Sequence, residues 1–425
     1  MIFESAPAYR AHLLRETAIP QGFRFHATSL EFVPPERPDA GRATMNLAFI
    51  GSDAPATAVG VTTRNRFCGA PVTIARERLP QGRLQGLVVN NKVANVASAT
   101  GVDDARRIAA ATAARFGYPE AAVLPVSTGV IGWSLPVPAI LAAVEELPGT
   151  ECHPLDVAEA IMTTDRYPKL AWERREGVTC LGIAKGAGMI EPNLATMLGF
   201  IVCDADVDRD TLERVFRRVV DRTFNTISVD SDQSTSDMVV ALANGASGRT
   251  IDEEALEALL EPVCRTLSRE IVRNGEGTTH VLDVTVRGMP EAALARNVGR
   301  HVVNSPLVKT AVFGNDPNVG RILGAAGDAL ATWDPEGTVD GGRLEIAIHG
   351  ETVYRDGAFR LDGAVEARLA ERLRSAAMDP AVHGYPQDTG SVGIVLDFRA
   401  GDAVAAVCGS DLSYEYIREN ADYRT

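Results

Sequence analysis

The chain has 425 residues, 45 % of them hydrophobic, and its 42 basic and 56 acidic side chains leave a formal net charge of −14. That length accommodates one large domain or about two to three ordinary ones around a substantial core. The acidic balance, with no Lys/Arg run to offset it, excludes a general nucleic-acid or anionic-membrane binder. The first residues carry no basic region followed by an apolar one, and nowhere do about eighteen uncharged apolar residues run together, so the expectation is a soluble cytoplasmic protein. Six cysteines, Cys68, Cys152, Cys180, Cys203, Cys264 and Cys408, form no Cys-x-x-Cys pair and have no histidine at zinc-ligand spacing. Free, mostly buried thiols and no metal are expected.

In chain order, the apolar runs 47–50 and 86–89 predict strands, and a polar loop is expected at 34–42. A helix follows at 103–116, with Asp103 as its N-cap and Gly117 as its stop. A second helix spans 136–147, proline being tolerated in its first turn, and a third runs near 155–162. Strands at 178–184 and 197–203 precede a charged amphipathic helix at 209–224 and a strand at 239–243. Beyond them come a helix at 253–273, a strand at 281–286 and helical segments around 291–311. A Gly/Asp-rich connection at 334–343 leads to strands at 344–349 and 392–398. Strands and helices mix without strict βαβ alternation, which predicts sheets layered with helices.

The most informative stretch is 185–198, Lys-Gly-Ala-Gly-Met-Ile-Glu-Pro-Asn-Leu-Ala-Thr-Met-Leu, where Thr196 follows Ala195 behind a glycine-rich turn and ahead of an apolar strand. Read plainly, it is a loop feeding a buried strand. It is not a P-loop, because that motif ends in lysine followed by Ser or Thr, whereas Lys185 opens this one. Cleavage of the Ala195–Thr196 bond would give Thr196 a free α-amino group beside its hydroxyl. Such an amine has an unperturbed pKa of about 7.7–8.0 and can act as the base for that hydroxyl near neutrality.

The whole string resembles the self-processing segment of the glutamate N-acetyltransferase family, also called ornithine acetyltransferases. Stretches at 62–72, 127–132, 160–165, 272–277, 305–311 and 420–425 resemble the family's signatures in the same order, so the likeness spans nearly the whole chain. The resemblance implies an αββα sandwich, a mixed α/β (α+β) fold of the ornithine acetyltransferase or DmpA-like type. It implies a precursor that cuts itself into residues 1–195 and 196–425, which stay together and pair into an α2β2 assembly. The implied reaction moves acetyl from N-acetylornithine to glutamate through an acetyl-Thr196 intermediate. Some members also accept acetyl-CoA as co-substrate; no other cofactor is implied.

Carried over residue by residue, the resemblance makes Thr128 and Gly129 the oxyanion hole and Thr196 the nucleophile. It places substrate contacts at Thr163, Lys185, Thr196, Glu276, Asn420 and Thr425. Thr164 adjoins Thr163 and is an alternative contact, because the chain between it and Thr196 is shortened relative to the family. By charge, Lys185 suits a carboxylate and Glu276 an ammonium group. The run 230–237 opens like a calcium loop, but it has Thr235 at the sixth place and Ala241 at the twelfth. A hydrogen-bonded loop near the active centre is expected there instead.

Three places depart from the family pattern. Residues 90–101 replace a run of small residues, Ser236 stands for a common asparagine, and Val319 for a usual tryptophan. None of these is the nucleophile or an oxyanion donor, so self-cleavage and acyl transfer are expected to persist. The departures fit either an arginine-pathway enzyme or a paralogue acting on an ornithine-like amino acid. The alternatives are a self-processing aminopeptidase or amidohydrolase on the related fold, in which water resolves the acyl-enzyme, and an unprocessed binding protein.

Overall fold

A computed structural model describes residues 3–191 and 197–422. Among these, fifteen strands form two sheets. The first contains β1 (Phe23–Phe32), β2 (Ala43–Thr62), β3 (Arg83–Asn90), β4 (Val123–Ser127), β5 (Lys169–Arg175), β6 (Val178–Lys185), β7 (Leu198–Cys203) and β9 (Met238–Ala243). Its order is β4-β3-β2-β9-β7-β6-β5, with β1 also paired to β2.

The 20-residue β2 turns this sheet into two layers. Its first half pairs antiparallel with β1 and β3; the register then breaks between Gly51 and Ala56, and Thr57–Thr62 pairs antiparallel with β9. Period-two alternation shows which faces meet. Ala48 and Ile50 of β2, Phe200 and Val202 of β7, and Val240 and Leu242 of β9 share one core. On the outer face of one layer, Met45, Leu47 and Phe49 pack with Ile108 and Ile140 of the helices Gly101–Phe116 and Val137–Glu146. On the other, Ile201, Cys203, Val239 and Ala241 pack with the helices Arg209–Arg222 and Glu253–Arg273. The result is the αββα sandwich. Phe49, Phe200 and Phe216 are fully buried, and such a side chain contributes about 1.5–3 kcal/mol on removal from water.

The second sheet runs β13-β12-β11-β14-β10-β15-β8. Its strands are β8 (Ile227–Ser228), β10 (Val281–Met289), β11 (Glu345–Ile348), β12 (Glu351–Arg355), β13 (Ala358–Phe359), β14 (Val392–Asp397) and β15 (Ala403–Ser410). Helices Ala292–Asn304, Val319–Trp333 and Gly363–Ala376 share a core with it. The two-residue β8, pairing parallel with β15, ties it to the sandwich.

Most predicted elements lie where expected, and the 253–273 helix has the expected bounds. The N-cap of the 103–116 helix does not. That helix starts at Gly101 behind Thr100, with Asp103 in its first turn. Side chains just upstream hold the start two residues earlier: Asn95 Nδ2 donates to the Gly101 carbonyl at 2.9 Å, and Thr100 Oγ1 donates to Asp104 Oδ2 at 2.6 Å. Gly117 does end it, with φ +71°. The six cysteines are free thiols, Cys68 and Cys152 half-buried and the rest buried. Among the described residues, no helix is long and apolar enough to cross a membrane.

Candidate active site

Five separated segments end at one cavity of about 560 Å³. β4 delivers Thr128 and Gly129, the turn after the helix Pro154–Ala160 delivers Thr163 and Thr164, and β6 delivers Lys185. The turn behind the helix Glu253–Arg273 supplies Glu276, and the helix Tyr414–Asp422 supplies Asn420. Six of the sequence-predicted site residues therefore share one pocket, as does the alternative contact Thr164. Ala195, Thr196 and Thr425 lie outside the described residues.

Asn90 shapes the Thr128–Gly129 turn. Its Oδ1 accepts the Ser127 hydroxyl at 2.6 Å, and its carbonyl accepts the Thr128 N–H at 3.1 Å. Its own amide donates to the Asn91 and Val93 carbonyls at 3.1 and 2.9 Å. The divergent 90–101 segment thus braces the turn. Gly129 has φ +128°, and a Cβ there would come within 2.2 Å of the Lys92 carbonyl carbon, so no other residue fits without moving backbone. The Thr128 hydroxyl and the Gly129 N–H have no partner among the described residues. Both donors remain available to a ligand oxygen.

Beneath Lys185 lies a buried carboxylate. Lys185 Nζ donates to Thr163 Oγ1 at 3.1 Å. Asp165 accepts the Thr163 N–H at 3.1 Å and the Gly186 N–H at 2.7 Å, and it pairs with Lys169. Both side chains of that pair are completely buried. Burial by itself would raise the Asp165 carboxyl; Lys169, Lys185 and the Gly186 amide outweigh it and bring it down to about 2. One carboxylate thereby holds the two turns that present Thr163 and Lys185.

The chain is anchored on both sides of 192–196. Asp230 accepts the Met189 N–H at 2.6 Å and the Ile190 N–H at 2.7 Å, while Glu191 N–H donates to the Asp232 carbonyl at 3.0 Å. Downstream, the Met197 carbonyl accepts the Met238 N–H at 2.9 Å. The acidic, hydroxyl-rich run at 230–237 is therefore a hydrogen-bonded brace. Burial pushes the Asp230 carboxyl up, against the opposing pull of these backbone amides. Glu276 N–H donates to the Ala187 carbonyl at 2.9 Å, and Asn420 Nδ2 donates to Glu276 Oε2 at 2.9 Å. A Cβ at Gly188 would lie 2.3 Å from Glu276 Oε2, so this glycine admits the carboxylate.

Among the pocket residues that sequence reasoning missed are Arg166, His383 and Glu419. Arg166 is committed to protein acceptors, its guanidinium donating to the Gly275 and Thr278 carbonyls at 3.0 and 3.2 Å. It directly follows the 160–165 stretch, which was a usable signal. His383 stands in an irregular loop that reaches the site because Gly384 N–H donates to the Arg166 carbonyl at 2.9 Å, and no local pattern marks it.

Hydroxyl, amide, lysine and carboxylate groups gathered over one pocket of an αββα sandwich define an enzyme built for acyl transfer. The ArgJ family model matches residues 39–425, and the chain belongs to that family. It is 41 % identical to the arginine biosynthesis bifunctional protein ArgJ of Geobacter sulfurreducens, over 95 % of this chain and 99 % of that protein. It is 39 % identical to the glutamate N-acetyltransferase Oat2 of Streptomyces clavuligerus, over 96 % of this chain and 98 % of that protein. A solved structure, the arginine biosynthesis bifunctional protein ArgJ of Bacillus halodurans, is 30 % identical over 53 % of this chain and 98 % of its own, with a TM-score of 0.46.

Proposed function

We propose that the chain cleaves itself between Ala195 and Thr196, and that Thr196 then carries an acetyl group from N-acetylornithine, or a close analogue, to glutamate. The observation that carries this reading is the meeting of Thr128, Gly129, Thr163, Lys185, Glu276 and Asn420 in one pocket. The relatives' names as glutamate N-acetyltransferase and bifunctional arginine-biosynthesis protein support the substrate class.

In the first step the Thr196 hydroxyl attacks the Ala195 carbonyl carbon, and an N→O shift forms an ester as the peptide C–N bond breaks. That bond cleavage frees the Thr196 amine, and water then hydrolyses the ester to give the Ala195 carboxylate and return the Thr196 hydroxyl. That amine next takes the hydroxyl proton while the hydroxyl oxygen attacks the donor's acetyl carbonyl, and the donor amine leaves with a proton. The acceptor's amine then attacks the acetyl-threonine ester, giving ping-pong kinetics. Both tetrahedral oxyanions would be met by the Thr128 hydroxyl and the Gly129 N–H. Thr128→Ala is expected to slow transfer by about 10²–10³-fold, as loss of one oxyanion donor does elsewhere. Steady-state rates with N-acetylornithine and glutamate check it; a change under threefold would remove Thr128 from this role.

The sheet order explains how fragments 1–195 and 196–425 would stay joined. β7 and β9 of the second fragment lie between β2 and β6 of the first, so separating them would open the sandwich core. The pairing of two such units into α2β2 is carried over from the family and is read by solution mass.

Intact mass under denaturing conditions tests the self-cleavage. Two species meeting at Ala195/Thr196 are expected; a single 45.3 kDa chain would overturn the mechanism. Acetylglutamate formation from N-acetylornithine, measured against acetate release and against acetyl-CoA as donor, then separates transferase from hydrolase. Because Thr425 is proposed as a substrate contact, a tag placed after it should lower activity while an N-terminal tag does not. Equal rates for the two tagged forms would remove Thr425 from the site.

A further inference from the structure

Glu276 and Glu419 line the same cavity, yet among the described residues neither has an ion-pair partner within 4.0 Å. Two unpaired carboxylates facing one pocket repel each other, and a ligand cation relieves that repulsion. The helix Tyr414–Asp422 that carries Glu419 is locked in place. Ser413 Oγ donates to the Gly277 carbonyl at 2.5 Å, and a Cβ at Gly277 would fall 2.1 Å from the Tyr416 nitrogen, so helix and turn are in close contact. Tyr416, Glu419 and Asn420 are spaced i, i+3, i+4 and share one helix face. Asn420 occupies Glu276 Oε2, which leaves Oε1 without a partner among the described residues.

We propose that Glu419 is a specificity-determining residue: together with Glu276 it makes this side of the pocket a cation subsite, favouring amino acids with an ammonium or guanidinium side chain over neutral ones of equal length. The inference rests on the reading that this pocket holds the amino-acid substrate. Partial burial and then the Glu276 charge push the Glu419 carboxyl up. Arg166 and the Gly277 N–H act the other way, and Glu415 adds to the rise. Arg166 offsets the pair without closing it: among the described residues it forms no ion pair within 4.0 Å, and its Nη2 donates to the Gly275 and Thr278 carbonyls. Lys185 is held through Thr163 at the end of β6. The pocket therefore offers a cation for a carboxylate and, from the Glu276 turn and the C-terminal helix, two anions for a basic side chain.

The test is calorimetric binding of ornithine and of norvaline, which differ by the terminal ammonium group, to the full chain and to its Glu419→Gln and Glu419→Asp variants. The wild type should prefer ornithine, Glu419→Gln should reduce that preference about tenfold, the scale of a lost charge-assisted hydrogen bond, and Glu419→Asp should restore part of it. An unchanged ratio in Glu419→Gln, or no preference in the wild type, overturns the proposal. The readout needs no turnover. A fall in the ratio without acetyl transfer in the wild type would uphold the cation subsite and remove only the transferase reading.

Discussion

Thr196→Ala is expected to leave a single 425-residue chain and to lower acetyl transfer by at least about 10⁴-fold, because on the proposed mechanism the residue supplies the nucleophile, and after cleavage its base, in both reactions. The loss should be chemical rather than structural. Asp230 grips the Met189 and Ile190 amides, and Met238 N–H holds the Met197 carbonyl, so both flanks are fixed by groups the substitution does not touch. Thr196→Ser, which keeps a hydroxyl, should still cleave, more slowly. Intact mass and melting temperature on the same preparations check this. Cleavage persisting in Thr196→Ala, or melting collapsing along with activity, would sink the assignment.

Asp165→Asn should cost about 3–5 kcal/mol of stability, the scale for breaking a buried ion pair. Asparagine can still accept one backbone amide, but it leaves the buried Lys169 ammonium without a counter-charge. It also loosens the turns that carry Thr163 and Lys185, so activity should fall along with stability. Pairing Asp165→Asn with Lys169→Met should recover part of the loss, since it removes the stranded charge. The pH dependence has a definite sign. The folded carboxyl lies at about 2, below its ordinary 3.8, so its contribution is complete above about pH 4 and is lost as pH falls through 2. Asp165→Asn should therefore be less sensitive to acid than the wild type across that window. Denaturant unfolding at pH 7 and at pH 2–4 measures both effects; a loss under about 1 kcal/mol at pH 7 would show that the pair is not the brace described.

Local pattern carried the elements whose determinants are local. The helix Glu253–Arg273 begins behind Asp252, whose side chain accepts the Ala255 N–H, and it buries one apolar stripe, so cap and period agree. The strands around 178–184 and 239–243 are apolar runs between turn residues, and Gly117 stops its helix for a reason intrinsic to glycine. Strand β5, Lys169–Arg175, was not legible, because its exposed end is charged and it is held as a strand by pairing with β6. The break in β2 that makes two layers was equally invisible. It depends on what β3 and β9 offer on either side, not on the β2 residues alone.

The same division holds at the pocket. The sequence by itself determined which residue types were present, the Ala195–Thr196 junction and, through the family likeness, six of the residues that meet there. The tertiary structure alone decided that Asp230 braces the chain at Met189 and Ile190, that Asp165 fastens two turns through one carboxylate, and that Glu419 stands beside Glu276. Several of the contacts that build the pocket join groups far apart in the chain: Asp230 reaches the Met189 N–H across 41 residues, and Asn420 meets Glu276 across 144. Periodicity and capping act within a few turns of chain, whereas such partners are selected by how the sandwich and the second sheet close on each other.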